Sequence, residues 1–225
     1  MVHLKFVIEI KDCRVGQSKR LNIITKIPIS VPVDKVYSRL GRNRHINELA
    51  ESQKKRIDEA IAAGFALCDL KGVWLRLKII ECDAEKVVLE NNVVFESAAL
   101  AKLLKKSTDV ILFAATAGAD IVENVSAVGM QGDGVRALVY DAVGSESADD
   151  AMNWMQGYLN QYFKRFGEQL TKRRFSAGYG DLSLDTQRVF YELLELAKLG
   201  IVITDECILR PEKTVTAIAG VERII

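Results

Sequence analysis

The sequence predicts one α+β domain, and three observations carry that expectation. Several segments space their apolar residues as amphipathic helices do, with long stripes at 148–170 and 186–197. Between them lie apolar runs of strand length, the clearest being Asp109–Gly118 (DVILFAATAG). No internal repeat and no linker-like stretch divides the 225 residues, and only three prolines occur. The hydrophobic share of 49% and charged share of 27% are ordinary for a globular chain of this length.

Each element has its own justification. Residues 2–10 (VHLKFVIEI) alternate partly and predict a strand; 12–32 mix charge with β-branched residues and read as an irregular or edge segment. VDKVYSRLG (33–41) predicts a short helix closed by Gly41. Ile46, Leu49, Ala50, Ile57, Ala60 and Ile61 predict an amphipathic helix over 46–63, ending near Gly64. Strands are expected at 72–81 and, more weakly, at 86–91; 97–106 is expected to be helical. The run 109–118 has the profile of a central strand. A helix over 119–128 and a break at 129–135 follow.

The longest helix is expected to start near Ser147, which with Asp150 resembles a capping arrangement, and to carry its apolar stripe to Leu170. Residues 172–185 read as a loop. A helix over 186–200 is expected, with Asp185 as N-cap and Gly200 as its end. Two closing strands, 200–210 and 214–220, are joined through Pro211-Glu212-Lys213.

Composition and motifs exclude several functions. Lys plus Arg (31) nearly cancels Asp plus Glu (30), so charge gives no reason to expect nucleic acid or an anionic membrane as partner. The N-terminus meets Lys5 and Glu9 too early for a signal peptide, and no apolar run reaches the ~18 residues of a membrane span. A cytoplasmic location is the expectation. The four cysteines and two histidines show no metal-ligand spacing, and reduced, mostly buried thiols are expected. There is no P-loop, no G-x-G-x-x-G after a strand and no G-x-S-x-G elbow.

One loop stands out: Arg174-Phe175-Ser176-Ala177-Gly178-Tyr179-Gly180-Asp181. Its glycines permit positive φ and close approach to a ligand. Arg174 can grip a carboxylate through two parallel N–H bonds. Tyr179 offers a flat face and a hydroxyl. The plainer alternative is an inter-helix turn in which Arg174 pairs with a surface acid.

The R-x-x-x-G-Y pattern of that loop, followed by Gly180-Asp181-Leu182-Ser183-Leu184-Asp185-Thr186-Gln187 and an amphipathic helix, resembles the activation (S-adenosylmethionine-binding) domain of cobalamin-dependent methionine synthase, in its free-standing or split form. Phe113–Gly118, Asp141–Ser145 with the acids after it, and Thr204–Ile218 resemble further blocks of that family in the same order, so the resemblance covers about residues 100–220. The loop departs from the full-length enzyme's in having Gly180 and Asp181 where G-Y-P-x-C-P is usual.

The resemblance implies a mostly antiparallel, twisted sheet with long helices. It implies an N-terminal α/β portion (1–95) and an activation-domain-like core (96–225). It implies S-adenosylmethionine as ligand: Arg174 on its carboxylate, Ala177, Gly178 and Tyr179 beside its other portions, and Asp149 or Asp150 facing its cationic groups. Thr116 and Gly118 are expected to line the same cleft. No catalytic side chain is expected.

The role so implied is reductive reactivation. An oxidised cobalamin takes an electron from a flavodoxin- or ferredoxin-like donor and is then methylated by S-adenosylmethionine. This chain lacks the D-x-H-x-x-G motif of corrinoid modules, so cobalamin is expected on a partner chain, a methionine synthase subunit or related corrinoid protein. The rival reading is a non-catalytic docking protein for a corrinoid protein, its ligand cleft degenerate.

Overall fold

The computed structural model describes residues 10–15, 19–41 and 50–224. The expected strand at 2–10 lies outside them except for Ile10, as do Ile46 and Leu49 of the expected 46–63 helix. Where an irregular or edge segment was expected, β1 (Ile10–Val15) and β2 (Lys19–Ile24) pair as an antiparallel hairpin, with β1 at the sheet edge among the described residues.

Helix α1 (Val33–Arg39) ends before Gly41, whose φ is +96°. Helix α2 (Glu51–Ala66) ends two residues beyond the expected Gly64 and runs through it. A Cβ at Gly64 would stand 3.0 Å from the Tyr140 ring, so this glycine makes room for packing and terminates nothing. Three strands follow: β3 (Lys71–Cys82), β4 (Lys86–Leu89) and β5 (Val94–Glu96). Helix α3 (Ala98–Leu104) is capped by Ser97, whose Oγ accepts from Leu100 N–H at 3.0 Å. Then come β6 (Asp109–Thr116) and α4 (Asp120–Met130).

The longest helix, α5, spans Gly134–Lys164. It therefore starts thirteen residues before the expected cap at Ser147, with Asp133 as its cap instead. Ser147 is fully buried in mid-helix. The break expected at 129–135 falls between α4 and α5, and further along α5 a Cβ at Gly144 would meet Ile121 of α4 at 3.2 Å and Lys213 at 3.1 Å. At the other end, Leu170 lies outside the helix, in β7 (Glu168–Leu170).

Helix α6 (Thr186–Leu193) is shorter than the expected 186–200. Glu195 adopts φ +47°, and a single 3-10 turn (Leu196–Leu199) runs to Gly200. Leu194 and Leu196 are both fully buried, so the stripe reflects burial on either side of a break. Asp185 precedes the helix without a side-chain cap bond. The expected strand at 200–210 is instead a small hairpin, β8 (Val202–Ile203) with β9 (Leu209–Arg210), forming its own two-stranded sheet. β10 (Thr214–Arg223) closes the chain.

The main sheet runs β1-β2-β3-β6-β10-β7, with β4 on β3 and β5 on β4, and its pairings among the described residues are antiparallel. β6 is central, flanked by β3 and β10, so the 1–95 and 96–225 portions share one sheet. Its alternate residues face two cores. Ile111, Phe113 and Ala115 pack against α1, α2, α4 and α5; Val110, Leu112 and Ala114 pack under α3 and α6. Helices on both faces explain why an antiparallel strand reads as a continuous apolar run, a pattern more usual in parallel sheets. Each large side chain so buried, such as Phe113, contributes about 1.5–3 kcal/mol of apolar transfer.

No helix among the described residues is long and apolar enough to cross a membrane. Cys68, Cys82 and Cys207 are free thiols, and burial pushes the Cys68 thiol up to about 11, which keeps it protonated.

Candidate functional site

The loop of interest hangs between the β10 edge and α5. Phe175 exchanges both backbone hydrogen bonds with Ile218 of β10, at 2.9 and 2.8 Å, so the chain leaves the sheet at a defined point. It then turns tightly. The Gly178 N–H donates to the Leu182 carbonyl (2.9 Å) and the Tyr179 N–H to the Ser176 carbonyl (3.2 Å). Gly178 (φ +82°) and Gly180 (φ +59°) supply the left-handed conformations this turn needs. Because both N–H groups are engaged, the turn can offer a ligand its carbonyls and the Tyr179 ring, which is 71% exposed. Ala177 points the other way: it is buried in the α6-side core with Leu182.

Opposite the loop, α5 presents one polar stripe. Asp141, Ser145, Asp149, Asn153 and Gln156 recur every three or four residues and so share a face. At one end Lys213 donates to Asp141 (2.5 Å) and Ser145 (2.9 Å). At the other end Arg174 donates through Nη1 to Asn153 Oδ1 (2.8 Å) and Gln156 Oε1 (3.0 Å). Arg174 thus does not pair with a surface acid; two neutral amides hold it. Its other guanidinium donors have no hydrogen-bond partner among the described residues. Gln156 also donates to the Thr171 carbonyl at 3.2 Å, and Asn160 accepts from Leu170 N–H at 3.0 Å, so α5 positions the whole 170–174 approach.

Asp149 lies on this stripe between the two cations. Burial first, then the Glu146 charge, pushes its carboxyl above the ordinary range, while Arg174 and Arg39 pull it back. Burial likewise lowers the Arg174 guanidinium, and Asp149 opposes that shift. Asp150, one residue on, faces α1 instead and pairs with Lys35; Glu146 pairs with Arg39 of the same helix at 2.6 Å. The 100° turn per residue separates the two aspartates. Neither stands at a helix N-terminus, since α5 begins at Gly134.

Thr116 and Gly118 end β6. The Thr116 hydroxyl accepts from Gly118 N–H (3.1 Å) and shares a hydrogen bond with Thr214 (2.9 Å). Gly118 has φ +85°, and a Cβ there would stand 3.0 Å from Asp69. Both residues therefore serve the turn, one strand-end from Lys213. Asn153, Gln156 and Lys213 were not singled out from the sequence. The 149–153–156 spacing of polar residues beside an apolar stripe was the available signal. Two cavities lie elsewhere, one of about 460 Å³ between α2 and the start of α5, the other of about 470 Å³ beside Trp74 and Phe166.

No family model matches the sequence, and no curated protein matches it. Among solved structures, the fold is similar to that titled "Crystal Structure of the MetH Reactivation Domain bound to AdoHcy", with a TM-score of 0.57. The match covers 84% of this chain and 72% of that chain, at 16% sequence identity. At that identity the likeness is one of fold, and it bears out the antiparallel α+β architecture implied by the loop motifs.

Proposed function

We propose that this chain binds S-adenosylmethionine between the 174–179 loop and α5, and serves as an accessory subunit for reductive reactivation of a cobalamin-dependent methionine synthase or a related corrinoid methyltransferase. The observation that carries the reading is the pair Arg174 and Asp149. Each is half-buried, each is shifted by burial away from its charged form, and each feels the other's charge. A ligand with one carboxylate and nearby positive groups would neutralise both. S-adenosylmethionine has that charge pattern, and the solved structure of similar fold holds AdoHcy.

The donor set fits. Arg174 keeps free guanidinium donors for a carboxylate, fixed in direction by Asn153 and Gln156. Asp149 faces the ammonium and sulfonium end. Tyr179 covers the ligand with an exposed ring. When bound, S-adenosylmethionine supplies an activated methyl group; the chain's own residues bind and orient it, which is where positioning gains its effect. Cobalamin would come on a partner chain, and the electron from a flavodoxin- or ferredoxin-like protein.

Calorimetric titration of the purified chain with S-adenosylmethionine tests the reading, alongside Arg174→Ala and Asp149→Asn. Saturable binding weakened by about tenfold or more in each variant supports it, as expected for loss of a charge-assisted contact. Binding that neither variant alters would overturn the assignment of the site.

A further inference from the structure

We propose that the cavity between α2 and the first turns of α5 is a second binding site, for a small amphiphile carrying one carboxylate. It lies far from the cleft described above: seventeen residues of α5 separate Arg136 from Asn153, roughly 25 Å of helix. Its volume of about 460 Å³ is in the range of small-molecule pockets.

The floor is apolar, formed by Ile57 of α2 and Val139 and Tyr140 of α5. Tyr140 is only 7% exposed, and its hydroxyl has no hydrogen-bond partner among the described residues.

The mouth carries the charge. Arg56 and Arg136 lean on the same Asp133 oxygen, at 3.9 and 3.4 Å. The other Asp133 oxygen caps α5, accepting from the Arg136 N–H at 3.1 Å. Neither guanidinium has a two-point partner, so donors remain for an arriving carboxylate. Glu59 lines the same cavity and opposes an anion. An apolar body on the floor, with a carboxylate at the two arginines, satisfies this arrangement.

The test uses the full chain and a fluorescent amphiphilic anion, 1-anilinonaphthalene-8-sulfonate, displaced by decanoate or by decanol. Decanoate is expected to displace it at a concentration about tenfold lower than decanol, the margin of one charge-assisted contact. Ala63→Trp fills the cavity from an exposed position and should abolish the signal, while far-ultraviolet circular dichroism stays unchanged. Arg56→Ala with Arg136→Ala should erase the preference for decanoate, and Glu59→Gln should strengthen it. No fluorescence gain, a gain that survives Ala63→Trp, or equal displacement by decanoate and decanol would each overturn the proposal.

Discussion

The Asp181 carboxylate closes on Ser97, the residue that caps α3: it accepts the Ser97 hydroxyl proton and, at 3.1 Å, the Ala99 N–H. Residues 84 positions apart thereby finish one helix terminus together. The same contact ties the Gly178–Tyr179 turn to the body of the protein. These hydrogen bonds, Ser97 first, hold the Asp181 carboxyl below the usual carboxylate range. A depressed acid stabilises the fold above its unfolded pKa, and that contribution fades as pH falls through the lowered value.

Ser97→Ala is therefore expected to cost about 1 kcal/mol, read from the denaturant midpoint at pH 7. Combined with Asp181→Asn, the losses should not add, because both remove one contact. Additive losses in the double-mutant cycle would show that the cap and the loop are independent. Weaker S-adenosylmethionine binding should accompany either change.

Asp149 predicts the opposite pH trend. Its carboxyl is raised by burial and by Glu146, so the native state disfavours the charged form. The resulting penalty is full above the raised value and vanishes below the ordinary carboxylate range. Asp149→Asn should raise the thermal midpoint at pH 7, with the gain disappearing near pH 3. A midpoint that falls at neutral pH would contradict this reading of its surroundings.

Gly72 is a packing position. A Cβ there would run into Met155 Sδ and stand 3.1 Å from the Ala114 carbonyl. Gly72→Ala should destabilise by about 1–3 kcal/mol through overpacking. Met155→Ala alone should cost about 2–5 kcal/mol by leaving a cavity. The double variant should lose less than the sum, measured by chemical denaturation.

Arg76 joins strands across the sheet. It grips Glu168 with two bonds, at 2.7 and 2.9 Å, reaches Asp109 at 3.1 Å and lies over the Phe163 ring. Burial pushes the Asp109 carboxyl up, but hydrogen bonds from Arg76 and Thr108 outweigh it and leave it below the ordinary range. Arg76→Met should cost about 1.5–3 kcal/mol at pH 7, the range for hydrogen bonds to charged groups. The deficit should shrink as pH falls through the lowered Asp109 value, seen in acid-unfolding curves of the two proteins.

The local signals were legible wherever one period held over one element. The apolar run expected at 109–118 and the strand expected at 72–81 follow from residues within a few positions of each other, and β6 (Asp109–Thr116) and β3 (Lys71–Cys82) lie there. The pattern misled where burial and secondary structure part company. Val189, Phe190, Leu193, Leu194 and Ala197 read as one helical face, yet the backbone breaks at Glu195, and Leu194 and Leu196 on either side of the break are both fully buried. Ser147 and Asp150 looked like a cap, yet Ser147 is buried in mid-helix, and Gly144 is small because Ile121 of α4 and Lys213 approach α5 there.

The loop motif named Arg174, Gly178 and Tyr179 from the sequence alone, because a turn with two positive-φ glycines is a local matter. Which acid faces Arg174 was not local. Asp149 and Asp150 are equivalent in sequence, and only the docking of α1, with Lys35 on Asp150, leaves Asp149 on the Arg174 side. The amides that hold Arg174 come from a helix some twenty residues upstream, and their partnership exists only once α5 lies beside the β10 edge. Periodicity and turn chemistry act over a few residues and can be read in one dimension. Charge compensation in a cleft depends on distances between elements, and those arise only when the sheet and its helices pack.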